Sequence, residues 1–148
     1  MKIRKGDIKI KMKPKKCYEI TGKPAEELVE KFNKDNNIFF RFQNPEWELT
    51  PESKSWGMIY GSEEEALESA EEDGLTEEEA VLPGKSCMDT LEGLWDWVDQ
   101  FDDNYVVLVF EGEDTGINGH DDEYVVKYRK AVAVWSIEDC YNYLYGEN

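Results

Sequence analysis

The sequence has little from which a covalently stapled or metal-held fold is made. Its three cysteines, Cys17, Cys87 and Cys140, stand far apart, and no C-x-x-C occurs. An odd count without paired spacing argues against a disulfide framework, so reduced thiols in a cytoplasmic protein are the expectation. There is one histidine, His120. The four Cys and His side chains lack the close paired spacing of a usual zinc site, so no metal is expected. A Cys87–His120 pair is a nucleophilic dyad on paper, whereas a lone cysteine most often serves as a small buried hydrophobe. No apolar run approaches the roughly 20 residues of a membrane span. The basic N-terminus is followed by no uninterrupted apolar core, so no secretory signal is expected.

Positive charge is scarce too. Against 34 Asp and Glu stand 17 Lys and Arg in 148 residues, a formal charge of −17. Such a field repels phosphate, so no direct nucleic-acid binding is expected. What is present is ordinary for a globular chain: 40% hydrophobic and 13% aromatic residues, too apolar for disorder. At this length roughly 70% of the unfolded surface can be buried, enough for a core without staples.

The charge is uneven. Residues 1–16 hold eight bases and one acid, a net +7, which leaves −24 on the other 132 residues. Within that stretch Ile8, Ile10 and Met12 alternate with Lys9, Lys11 and Lys13, the period of a strand with one lysine-covered face. It reads as a protected edge strand or as a basic arm that folds onto the acidic body or a partner. Residues 17–148 are expected to form a single acidic domain. Segment 63–79 is the opposite extreme, with ten acids and no base. Ser62 with Glu65, and Thr76 with Glu79, make two capping boxes, and Ala66, Leu67 and Ala70 draw a narrow apolar stripe. The plain reading is two short solvated helices. The sharper one is a phosphate-mimicking surface, carried by Glu63, Glu64, Glu65, Glu68, Glu71 and Glu72, that fills a basic groove on another protein.

A helix is expected near 24–33, opened by Pro24 and ended at Asn36-Asn37. Ile38–Phe42 is a buried strand, and Trp56–Tyr60 a short one. Asp89 with Glu92 caps a third helix, whose stripe is Leu91, Leu94, Trp95, Val98 and Phe101. Trp95 and Trp97, two apart, face different sides of it, so one can enter the core while the other covers a partner. Tyr105–Phe110 is the strongest strand, Glu111–Asp122 a polar loop, and Tyr124–Trp135 one long strand or two short ones. Ser136 starts a final helix through Tyr145, although the alternation of Tyr141, Tyr143 and Tyr145 equally suits an edge strand. Helices early and strands late predict an α+β fold, with about six strands in a mixed or antiparallel sheet and three to four short helices. The acidic loop from Asp114 has Gly116 and Val125 where an EF-hand needs ligands, so calcium is not expected.

Three features in order carry possible chemistry: Arg41 within Phe39-Phe40-Arg41-Phe42, Gly84-Lys85-Ser86, and Asp121-Asp122-Glu123 running into Tyr124-Val125-Val126. Over roughly residues 38–135 this order resembles the ADP-ribosyltransferase-like family of the arginine–serine–glutamate type. The resemblance implies that fold, NAD as cofactor and a macromolecular acceptor. Glu123 would stabilise positive charge on the ribose as nicotinamide leaves. Arg41 would fork onto the dinucleotide phosphates. Ser86 would orient Glu123 by a hydrogen bond, Asp121 would meet the acceptor, and Trp56, Tyr60 or Tyr124 would stack on the nicotinamide or adenine. Asp121 departs from the family's Gln or Glu, and Cys87-Met88 from the Ser/Thr-rich run after its serine. Without the resemblance, Arg41 is a strand residue paired with a local acid, Ser86 a turn residue and Glu123 a solvated loop acid. The competing functional class is a non-enzymatic inhibitor or decoy. Like small inhibitors from mobile elements, it would block a basic nucleic-acid-handling protein through 63–79.

Overall fold

The computed structural model describes residues 16–55, 63–76, 78, 81–118 and 123–146; within helix 63–72 the side chains of residues 63 and 65 lie outside that description. The fold is α+β and rests on one antiparallel four-strand sheet: β1 (Ile38–Gln43), β2 (Lys85–Cys87), β3 (Val106–Asn118) and β4 (Tyr124–Ser136), in the order β1-β3-β4-β2. Among the described residues the α-helices are α1 (Glu26–Lys31), α2 (Glu63–Glu72), α3 (Leu91–Leu94) and α4 (Ile137–Tyr145).

The sheet is built on a hairpin. β3 and β4 pair from Val106↔Ser136 out to Asn118↔Tyr124, with register shifts after Val109, Glu111 and Asp114. Each shift sharpens the local twist, and the two ends of the hairpin serve different partners. β1 pairs with the first half of β3, and β2 with the first residues of β4. The two outer strands then meet: Phe40 and Met88 exchange backbone hydrogen bonds at 2.9 and 2.8 Å. The sheet therefore curls until its edges touch, and β1 is buried on both faces.

Alternation along β1 divides the core in two. Ile38, Phe40 and Phe42 join Val107, Val109, Ala133 and Trp135 on the face covered by α1, α3 and α4. Phe39 joins Leu108, Phe110, Val126, Tyr128 and Val134 on the other face, with Cys87 and Tyr18. Each large side chain so buried contributes about 1.5–3 kcal/mol. Rings interlock across the first face, with Phe42 at 4.8 Å from Phe101 and 5.5 Å from Trp95.

Several expectations are corrected. Among the described residues there are four strands; β3 continues to Asn118 through the segment read as a polar loop, and β4 is one strand. The third helix is capped by Thr90, whose Oγ1 accepts from Gly93 N at 2.9 Å, and not by Asp89. It is α-helical for one turn and then tightens to a 3-10 helix over Trp95–Gln100. α1 ends at Lys31, and Asn33 caps a separate 3-10 turn, Lys34–Asn36, that leads through left-handed Asn37 into β1. The final tyrosines are helical, capped by Ser136 as expected, its Oγ accepting from Asp139 N at 3.0 Å. Trp97 is not turned away from the core; it packs against the same cluster as Trp95. The basic N-terminal strand or arm, the Trp56–Tyr60 strand and most of the second acidic helix lie outside the described residues. Among those described, no helix is long and apolar enough to cross a membrane.

Candidate functional site

Arg41, at the centre of β1, is 7% exposed. Its position is set by alternation: with Phe39 and Gln43 it faces the curled side of the sheet, where β2 closes over β1. Its Nε donates to Gln43 Oε1 at 2.9 Å and its Nη1 to the Ser86 carbonyl at 2.6 Å. Gln43 Nε2 in turn donates to the Trp47 carbonyl at 2.8 Å. Burial lowers the Arg41 guanidinium to about 10, so it remains a cation at neutral pH. Among the described residues no carboxylate oxygen lies within 4.0 Å of it. The local acid expected beside Arg41 is replaced by neutral oxygens, and one strong charge-assisted bond, to the Ser86 carbonyl, joins β1 to β2.

Ser86 is 0% exposed. Its backbone N–H donates to Ser55 Oγ at 3.1 Å, and the two hydroxyls lie 3.1 Å apart. Ser55 Oγ donates to the Gly84 carbonyl at 2.9 Å. With that proton spent, the Ser86 hydroxyl is the donor between the two serines. The hydroxyl expected to orient Glu123 is thus committed to Ser55.

Glu123 stands immediately before β4 and is 1% exposed, which corrects the reading of it as a solvated loop acid. Its neighbour Tyr124 pairs with Cys87. Burial holds the Cys87 thiol well above its ordinary value; Arg41 pulls it down, while Asp114, Glu123 and Asp89 push it up. The fold therefore brings Arg41, Ser86 and Glu123 to the closure of β1 against β2 and β4, around a protonated thiol. Cys87 is unsuited to the nucleophilic dyad, since the thiolate is the reactive form. Cys140 is buried as well and Cys17 is exposed. His120, Asp121, Trp56 and Tyr60 lie outside the described residues.

The acidic candidates occupy another place. Ser55 and Leu82 form a bridge, with Leu82 N donating to Ser55 O at 2.8 Å, and this pins the ends of an excursion that contains α2. Ala66 and Ala70 seat α2 by its narrow apolar side. Glu64, Glu68, Glu71 and Glu72 are exposed, and a shallow groove runs along Glu64, Leu67, Glu68 and Glu71. The side chains of Glu63 and Glu65 lie outside the described residues.

Sequence reasoning missed Gln43 and Ser55. Gln43 was open to it, two residues from Arg41 on one strand face. Ser55 was not, because 31 residues separate it from Ser86. Among the described residues no group of three or more His, Cys, Asp or Glu is placed to hold a metal ion. No family model, curated protein or solved structure matches the chain.

Proposed function

We propose that the protein is an acidic binder that captures a basic surface on another protein through α2 and the excursion around it. The observation that supports this most is the cost of α2's charges to the fold. Glu64, Glu68 and Glu72 stand four residues apart, where like charges destabilise a helix by about 0.2–0.5 kcal/mol per pair. Glu71 and Glu72 lie in the last turn, which has no base, and acids there oppose the helix dipole. Among the described residues the ion pair within 4.0 Å is Lys130–Glu111, on the hairpin. Acids that weaken their own helix are explained by what they meet outside it. Leu67, half-buried in the groove between them, adds an apolar contact suited to a protein.

The test is capture from a nuclease-treated lysate, followed by titration of the recovered protein against wild type and a variant with Glu64, Glu68, Glu71 and Glu72 all changed to Gln. A basic partner should bind wild type less tightly as salt rises. The variant should bind it about tenfold or more weakly, at up to about 1 kcal/mol per exposed pair. An interaction that the variant leaves unchanged rejects the reading.

A second reading, NAD-dependent ADP-ribosyl transfer, draws on one observation: Arg41, Ser86 and Glu123 gather at one closure of the sheet. Their burial and the Ser86–Ser55 bond weigh against access by a dinucleotide. NAD consumption by wild type and its loss in Glu123→Gln would support that reading, and no consumption by a folded wild type would end it.

A further inference from the structure

Away from α2, the helical face of the molecule carries a groove of about 370 Å³ between the end of α1, the start of α3 and the end of α4. Its floor is apolar and tied to the core. Phe32 stacks on Trp135 at 6.1 Å, and Phe40, which also lines the groove, lies 6.4 Å from the same indole. Leu91 and Leu144 complete the floor, and the Tyr143 ring stands in the wall. Such a floor is preformed, and the volume falls in the lower range of small-molecule sites, about 300–1,000 Å³.

The rim is acidic. Asp89 and Glu92 line the groove. Glu26 and Glu30 of α1 act with Glu92 on the Tyr143 hydroxyl, which burial first and these three carboxylates next hold above its ordinary value. Asp89 has a counterpart: Lys34 Nζ donates to Tyr124 OH at 3.1 Å, and Tyr124 OH donates to Asp89 Oδ2 at 3.2 Å. Glu26, Glu30 and Glu92 are exposed and, among the described residues, have no cation within 4.0 Å. Uncompensated Glu92 thus lines an aromatic and aliphatic groove, with Glu26 and Glu30 of α1 near enough to act on the Tyr143 ring in its wall.

We propose that this groove binds a small organic cation, an amine or guanidinium carried on an apolar, preferably aromatic body. The body would leave water for the Phe32, Leu91 and Leu144 floor. The cation would sit beneath Glu26, Glu30 and Glu92, against the face of Tyr143, where ring quadrupole and carboxylates attract it together. An anion of the same shape is repelled, and a neutral analogue keeps only the apolar part.

Three probes of one shape separate these contributions: phenylpropylamine, phenylpropanol and phenylpropionate, each titrated into the full chain and followed by backbone amide shifts. The amine should shift Phe32, Leu91 and Tyr143, with phenylpropanol about fivefold weaker and phenylpropionate weaker still. The double variant Glu30→Gln/Glu92→Gln changes exposed residues and keeps the fold. It should weaken the amine about five- to tenfold, from two screened pairs, and leave phenylpropanol unchanged. The proposal is overturned if the amine does not bind by about 10 mM, or if alcohol and amine bind alike. Shifts mapping elsewhere, or a double variant that binds the amine as wild type does, overturn it equally. No α2 residue lines this groove, so the outcome is independent of the capture experiment.

Discussion

The outer end of the β3–β4 hairpin and α2 are both rich in exposed charge, yet they handle it in opposite ways. On the hairpin, acids and bases face each other across the strands. Glu113 pairs with Lys127 and Glu111 with Lys130, whose Nζ comes to 3.6 Å from the Glu111 carboxylate. On α2 the carboxylates follow one another with no base between them. The hairpin's charges agree with its fold, whereas those of α2 work against its helix. Local stability accounts for the first arrangement, and the basic partner proposed above would account for the second.

The largest difference should come from backbone packing. A Cβ on Gly112 would fall 2.5 Å from the Lys127 carbonyl oxygen and from Val126 Cγ1. Gly112→Ala must push the hairpin strands apart, and a loss of about 2–3 kcal/mol in urea unfolding is expected. Near α2, Gly74 has φ +78° and nothing within 4 Å of a Cβ, so Gly74→Ala should cost only about 1–2 kcal/mol, from backbone strain. Equal losses at the two glycines would erase the distinction between a crowded region and an open one.

Charge changes should be smaller and opposite in sign. Lys130→Ala removes one exposed pair and should cost between zero and about 1 kcal/mol. Glu68→Gln relieves two like-charge neighbours and should stabilise by about 0.2–0.5 kcal/mol per neighbour, more at low salt than at high. A destabilising Glu68→Gln would mean that α2's acids support the fold after all, and the argument for a basic partner would lose its footing.

The smallest signal is a pH slope on β2, beside the hairpin. Burial, with Arg41 adding to it, lowers the Lys85 ammonium to about 7 from 10.5, while its Nζ still reaches the Lys54 carbonyl at the surface. Between these values the unfolded chain holds the proton that the folded chain has released. Stability should therefore rise as pH goes from about 7 towards 10.5. Solvent screening keeps that rise shallow. Lys85→Gln should flatten it, and an unchanged slope would assign the rise elsewhere.

Much of the fold was legible from short-range chemistry. β1 and the first half of β3 were plain as apolar runs. α4 was one of two readings, signalled by Ser136 and the acids after it while the alternating tyrosines left an edge strand open, and the seat of α2 was legible from Ala66 and Ala70. The errors share a cause. Glu111–Asn118 reads as a loop because its glycines and acids disfavour a strand, but pairing with Tyr124–Lys130 supplies the hydrogen bonds that propensity withholds. The third helix reads as long because its stripe continues, yet after Leu94 it tightens to fit Trp95, Trp97 and Phe101 into one cluster.

The sequence alone carried the α+β class, the acidic surface and the want of paired cysteine spacing for disulfide or zinc staples, because these follow from composition, spacing and periods of two and 3.6 residues. Arg41, Ser86 and Glu123 could be picked out from the sequence, but their surroundings could not. Only the curling of the sheet decided that Arg41 bonds neutral oxygens, that Ser86 answers to Ser55, and that Glu123 is sealed from solvent. Each of those depends on contacts between segments tens of residues apart, and no local preference encodes them.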